Sequence, residues 1–132
     1  YYPDLDSERE MLLATTTNRR EIAAPILADN ELSSIQNFVR DMPVGENVIH
    51  AILTLVRNAR PDENAPALIK DYVTWAPGPR ASQALMLAVR ARALLQGRQT
   101  PSIEDVKALA EPVFKHRMAL NYKARTAQIS LT

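Results

Sequence analysis

Apolar residues recur along most of this chain at the 3.6-residue period of amphipathic helices. The first stretch begins after Pro3, where Asp4, Asp6 and Ser7 are each able to cap a helix, and Ser7 with Glu10 fits a capping box. Leu5, Met11, Leu12 and Leu13 form its apolar side, and its end is expected near Thr15. Residues 15–25 read as a loop, because their Thr, Asn and Pro content opposes continuation. Asn30 then offers an N-cap with Glu31 just inside, and Leu32, Ile35, Phe38, Val39 and Met42 share one face up to Pro43. Val48, Ile49, Ile52, Leu53 and Val56 predict a third helix ending near Arg60-Pro61. Residues 61–79 carry four prolines and one glycine, with Leu68, Ile69, Tyr72, Val73 and Trp75 in a helical turn or a short extended piece. The longest helix follows Pro79. Its Ala84, Leu87, Ala88, Ala91, Leu94 and Leu95 line up, and the alanines suit close helix approach. Gly97 fits the position just past its end. Ser102 with Asp105 caps a fifth helix bearing Val106, Leu109 and Ala110, followed by Pro112 and an apolar-basic turn, VFKHRM.

The pattern predicts an all-α fold, a small bundle of about five helices in residues 1–122. Residues 123–132 are polar with a weak alternation at Ile129 and Leu131. They read as a C-terminal tail, truncated or poorly ordered.

Composition narrows the function. A chain of 132 residues, 46% hydrophobic and 23% charged, is one globular domain in size. The absence of cysteine excludes disulfides, thiolate metal sites and cysteine nucleophiles. Neither GxxxxGK[ST] nor GxGxxG occurs among its three glycines, which excludes those two phosphate cradles. No apolar run is long enough to span a membrane and no signal peptide is visible, so a cytoplasmic location is expected. The Tyr-Tyr-Pro start, without Met, reads as a processed or excised piece. The net charge of +1 hides an asymmetry: residues 1–79 hold 7 Lys+Arg and 12 Asp+Glu, a net −5, and residues 80–132 hold 9 and 3, a net +6. Either the halves face each other or the basic half meets an anionic partner.

Trp75-Ala76-Pro77-Gly78-Pro79-Arg80 is the most distinctive stretch. Pro79 suits a first helical position, which puts Arg80 in the first turn, where the dipole disfavours a cation. Two readings stand: a guanidinium poised for phosphate oxygens, or a solvated arginine laid on Trp75 or paired with a carboxylate. Trp75 itself reads as a core plug fixing the turn, with an adenine contact as the lesser alternative. His50 reads as a packed or partly exposed histidine, and His116-Arg117 as a structural or interface pair. Arg90, Arg92, Arg98, Lys107 and Lys115 form a basic set for which nucleic-acid binding is the minor reading, since no aromatics interleave.

WAPGPRASQALMLAVRARALLQGR, followed by SIEDVKALAEPVFKHR, resembles the C-terminal lid of MoxR-family AAA+ ATPases. That family carries a GASPRAS-type turn, an alanine-rich helix closing in GR, a PEDV-type helix start and a terminal HR. YPDLDSERE resembles the boundary between core and lid, and VRNAR at 56–60 the family's LVxxTR helix end. The likeness covers roughly residues 1–122. Ala76 and Gly78 stand where Gly and Ser are usual, and Ile103 where Pro is usual. The resemblance implies an AAA+ lid whose sensor 2 arginine is Arg80, supported by Trp75, Pro77, Gly78 and Pro79 in the turn. It implies an intact ATPase using ATP and Mg²⁺ and built as a ring, usually hexameric. There the lid meets the AAA+ core of its own chain, neighbouring subunits and a partner with a von Willebrand factor A domain. Walker A, Walker B, sensor 1 and the arginine finger belong to the core, so this stretch alone is expected to bind no nucleotide and to be inactive. The contrasting expectation is a free-standing helical protein-interaction or nucleic-acid-binding module.

Overall fold

The computed structural model describes residues 2–16, 24–28 and 30–131. They form two compact units, Tyr1–Leu32 and Ser33–Thr132. In the first, α1 (Leu5–Thr16) buries no residue, and Leu5, Met11, Leu12 and Leu13 are exposed. Asp4 caps it by accepting the Ser7 N–H at 2.8 Å, in place of the expected Ser7–Glu10 box. Most of the expected loop, residues 17–23, lies outside the described residues. Asn30 adopts φ 70°, a left-handed value that Asn tolerates, instead of the extended backbone of an N-cap. There the Glu31 carboxylate accepts the Ala28 N–H at 3.0 Å, and α2 (Glu31–Asp41) begins.

The second unit holds the core. α3 (Glu46–Asn58) buries Val48, Ile52 and Val56, spaced four apart on one face. α4 (Ala67–Tyr72) runs into β1 (Val73–Trp75), which pairs antiparallel with β2 (Ala119–Leu120). α5 (Pro79–Leu95) buries Ala81, Leu85, Val89 and Ala93 and packs on α3 and on α6 (Ile103–Phe114). Each buried Val, Leu or Ile here stabilises the fold by about 1.5–3 kcal/mol, and each buried alanine by about 0.8 kcal/mol or less. Val106 and Phe114 of α6 close the cluster.

The buried seam of α5 lies roughly 140° around the helix from the expected stripe of Ala84, Leu87, Ala88, Ala91, Leu94 and Leu95. That stripe is half-buried to exposed, with Leu95 88% exposed. Its Leu87, Ala88 and Ala91 line an open groove with Ile35 and Val39 of α2. Apolar residues surround α5 on all sides, so its composition does not single out one face.

Pro112 falls inside α6 rather than after it. Its missing N–H costs one hydrogen bond, yet the helix continues to bury Phe114 and tightens into a 3₁₀ turn at Lys115–Arg117. Beyond β2, α7 (Tyr122–Thr126) is a further helix, where only a polar tail was expected. Asn121 caps it by accepting the Ala124 N–H. The same residue ties α7 to α4 by donating from Nδ2 to the Asp71 carbonyl at 2.6 Å. Ala124 is fully buried.

Candidate functional site

β1 reaches α5 through Ala76, Pro77 and Gly78. Pro77 is buried, and its carbonyl accepts a hydrogen bond from Arg60 Nε at 3.3 Å, just past the end of α3. Gly78 is the N-cap of α5 and has no side chain to cap with. Its φ of −85° and ψ of −174° are ordinary extended backbone. Its carbonyl accepts the Ala81 N–H at 2.9 Å. Pro79 takes the first helical position and Ala81 is fully buried, so the first turn is anchored from below while Arg80 stays exposed.

Trp75, Gly78, Pro79, Arg80, Ala81, His116 and Arg117 line one open groove of about 610 Å³. The fold thus unites two segments that the sequence separates by more than thirty residues. Of Arg80, its expected turn supports and the His116-Arg117 pair, only Pro77 lies outside this lining, and His50 and the basic set of Arg90, Arg92, Arg98, Lys107 and Lys115 lie elsewhere. His116 Nδ1 sits 3.1 Å from the Pro112 carbonyl, which orients the ring at the end of α6. The side chains of Arg80 and Arg117 have no hydrogen-bond or ion-pair partner among the described residues, and Arg117 Nε is buried. The core plug expected of Trp75 is corrected: the side chain is 69% exposed. Val73 and Trp75 have the same parity, but a register irregularity between them leaves Val73 buried and Trp75 out.

Residues 66–130 match the AAA lid domain family model. The chain is 28% identical over 130 residues to chaperone MoxR1 of Mycobacterium tuberculosis, covering 98% of this chain and 34% of that protein. It is 27% identical over 125 residues to YeaC of Bacillus subtilis, itself uncharacterised, covering 94% and 37%. Its fold matches the crystal structure of a candidate ATPase from Cytophaga hutchinsonii with a TM-score of 0.74. That match has 27% identity and covers 98% of this chain and 40% of the other. The chain carries an AAA lid domain of the MoxR type. It spans about a third of the length of the curated relatives it matches.

Elsewhere in the lid Arg90, Arg92, Arg98, Lys107 and Lys115 are engaged, whereas the Lys123 and Arg125 side chains have no partner among the described residues. Asp105, 2% exposed, accepts from Arg98 through both oxygens, at 2.8 and 2.6 Å, and from Arg92 Nε at 3.1 Å. The Ser102 N–H and hydroxyl complete its shell at 2.8 and 3.1 Å, so the expected capping box is present. The Arg98 hydrogen bonds, against the opposing effect of burial, hold the Asp105 carboxyl far below the usual carboxylate range, with Ser102 assisting. Lys107 pairs with Glu104 and Lys115 with Glu111. Arg90 donates to the Arg40 carbonyl at 2.7 Å and is half-buried. The basic set considered for nucleic acid is therefore committed internally. All three carboxylates of residues 80–132 are used by cations of that same half. His50 is exposed, with Nδ1 3.4 Å from Thr54 Oγ1.

Sequence reasoning missed the positioning role of Arg60 and, beyond its capping, the role of Asp105 as acceptor of Arg92 and Arg98. A signal for the second was present: an acid at the third helical position, seven residues after an arginine that follows a C-terminal Gly. No spacing rule points from Arg60 to Pro77. Among the described residues no three His, Asp or Glu cluster, so the groove offers cations and no Mg²⁺ ligand set. No described helix is long and apolar enough to cross a membrane.

Proposed function

We propose that this chain is the C-terminal lid of an ATP-driven MoxR-type machine and that Arg80 is its sensor 2 residue. The carrying observation is an exposed, unpaired guanidinium held at the N-terminus of α5 by an anchored turn, in a groove open to a ligand. Phosphate is the anion that such a fork and helix terminus receive best. The lid swings Arg80 onto the terminal phosphate of ATP bound in the AAA+ core of the same chain. Loss of that phosphate on hydrolysis removes the acceptor and frees the lid, so the nucleotide state becomes lid position. Mg²⁺ is held on the core side, since the groove supplies only cations. The intact protein is a ring, hexameric by the family pattern, whose neighbouring subunits contact the lid. It works in the cytoplasm with a protein bearing a von Willebrand factor A domain, as a chaperone-like assembly or activation machine.

The test is steady-state ATP hydrolysis by the intact protein. Arg80→Ala is expected to lower hydrolysis by roughly tenfold or more, the worth of one charge-assisted contact. Arg80→Lys is expected to rescue only partly, for want of the planar fork. Hydrolysis by Arg80→Ala at the wild-type rate overturns the sensor assignment.

A further inference from the structure

The groove has a second cationic wall. We infer that Arg117 is a second phosphate-binding residue, closing on the terminal phosphate of the nucleotide from the side opposite Arg80; this rests on the reading of Arg80 given above. Three observations carry it. Arg80 and Arg117 line the same open groove, although they sit on different elements, the first turn of α5 and the 3₁₀ turn after α6. Their side chains lack hydrogen bonds and ion pairs among the described residues, whereas Arg60, Arg90, Arg92, Arg98, Lys107 and Lys115 have partners. Finally, Arg117 Nε is buried with no acceptor among the described residues; Arg90 Nε shares that state, but Arg90 donates from another nitrogen to the Arg40 carbonyl and Arg117 donates from none.

The groove contains no carboxylate. Two guanidiniums left facing one space repel each other unless an anion sits between them. A phosphate with several free oxygens fits two planar forks, which is the geometry arginine serves better than lysine. His116 supports the arrangement structurally: its bond to the Pro112 carbonyl fixes the turn on which Arg117 stands. Arg117 therefore adds a charge to the same phosphate and tells ATP from ADP together with Arg80.

Equilibrium binding of a non-hydrolysable ATP analogue and of ADP to the intact protein, with Mg²⁺, tests this. Arg117→Met keeps the apolar stem and removes the charge; Arg117→Lys keeps the charge and loses the fork. Arg117→Met is expected to weaken the ATP analogue roughly tenfold while ADP affinity changes less than twofold, with Arg117→Lys in between. In Arg80→Ala/Arg117→Met the losses are expected to fall short of the product of the two, because both side chains grip one group. Analogue binding by Arg117→Met within twofold of wild type, beside a defective Arg80→Ala, overturns the role of Arg117 and leaves the sensor reading standing. An equal fall for ATP analogue and ADP, with a lowered melting temperature, assigns Arg117 to folding alone and overturns the inference too. Wild-type behaviour of both single variants defeats the sensor reading itself.

Discussion

The two ends of α5 carry the same chemistry put to opposite uses. At the C-terminal end, Arg92 and Arg98 converge on Asp105, Gly97 takes φ 72°, and the Arg98 N–H returns to the Ala93 carbonyl at 2.9 Å. This is a Schellman closure, with the two arginines answered by one buried carboxylate. At the N-terminal end, Gly78 supplies no cap, and Arg80 shares a groove with Arg117 while both side chains lack partners. Cations belong by dipole at the C-terminal end and are misplaced at the N-terminal one. The helix thus meets its stability requirements at its C-terminal end and leaves them open at the end where a ligand is proposed. Local conflict of this kind is where function is expected.

Substitutions at the closed end are expected to cost most. Asp105→Ala removes the buried acceptor of Arg92, Arg98 and the Ser102 N–H; the arginines, 36–40% exposed, turn to water, so the cost is roughly 1.5–3 kcal/mol. A fall in melting temperature of about 5–10 °C should be seen by circular dichroism. The same carboxylate sets the acid limit. Because its folded pKa is depressed, its contribution is complete above the ordinary carboxylate value of 3.8 and is lost as the pH falls below it toward the folded value. Urea melts of the wild type should therefore show a stability loss below about pH 4 that Asp105→Asn lacks.

The two glycines sharpen the contrast further. Gly97 occupies the left-handed region, so Gly97→Ala is expected to cost about 1–2 kcal/mol. Gly78 has ordinary extended backbone and nothing within 4 Å of an added Cβ. Gly78→Ser, which supplies the missing capping hydroxyl, is expected to leave stability unchanged or raise it by a few tenths of a kcal/mol in a urea melt. A loss at Gly78 equal to that at Gly97 would erase the distinction between the ends.

The sequence made some of this legible and hid the rest for physical reasons. α3 and α6 were readable because polar residues flank a narrow apolar face, and Val48, Ile52, Val56 and Val106 are buried as expected. α5 was located correctly but turned to the wrong face. Its small and apolar residues encircle it, and only the strict four-residue spacing of Ala81, Leu85, Val89 and Ala93 distinguishes the seam. α7 escaped because one turn with a single buried alanine has no periodicity to detect; the capping Asn121 was its local trace. At the candidate site, the turn and Arg80 were visible as residue types in order. That His116 and Arg117 border the same groove was not, since adjacency through β1–β2 pairing is a tertiary fact. Arg92 and Arg98 read as a basic surface because their acceptor lies on the following helix.

The Arg60 bond to the Pro77 carbonyl bears on how much freedom Arg80 has left to lose. Pro77 and Pro79 each fix one backbone dihedral, Arg60 holds the carbonyl between neighbouring elements, and Ala81 is locked in the core. The backbone under Arg80 is thus confined at folding, before any nucleotide arrives, and only the side-chain rotamers remain to be frozen on contact. Ordering one long side chain costs about 0.5–1.5 kcal/mol, whereas ordering a mobile loop costs that much again for every residue. In the proposed sensor role, a lid that closes on a phosphate therefore surrenders less entropy than one carrying its arginine on a mobile loop.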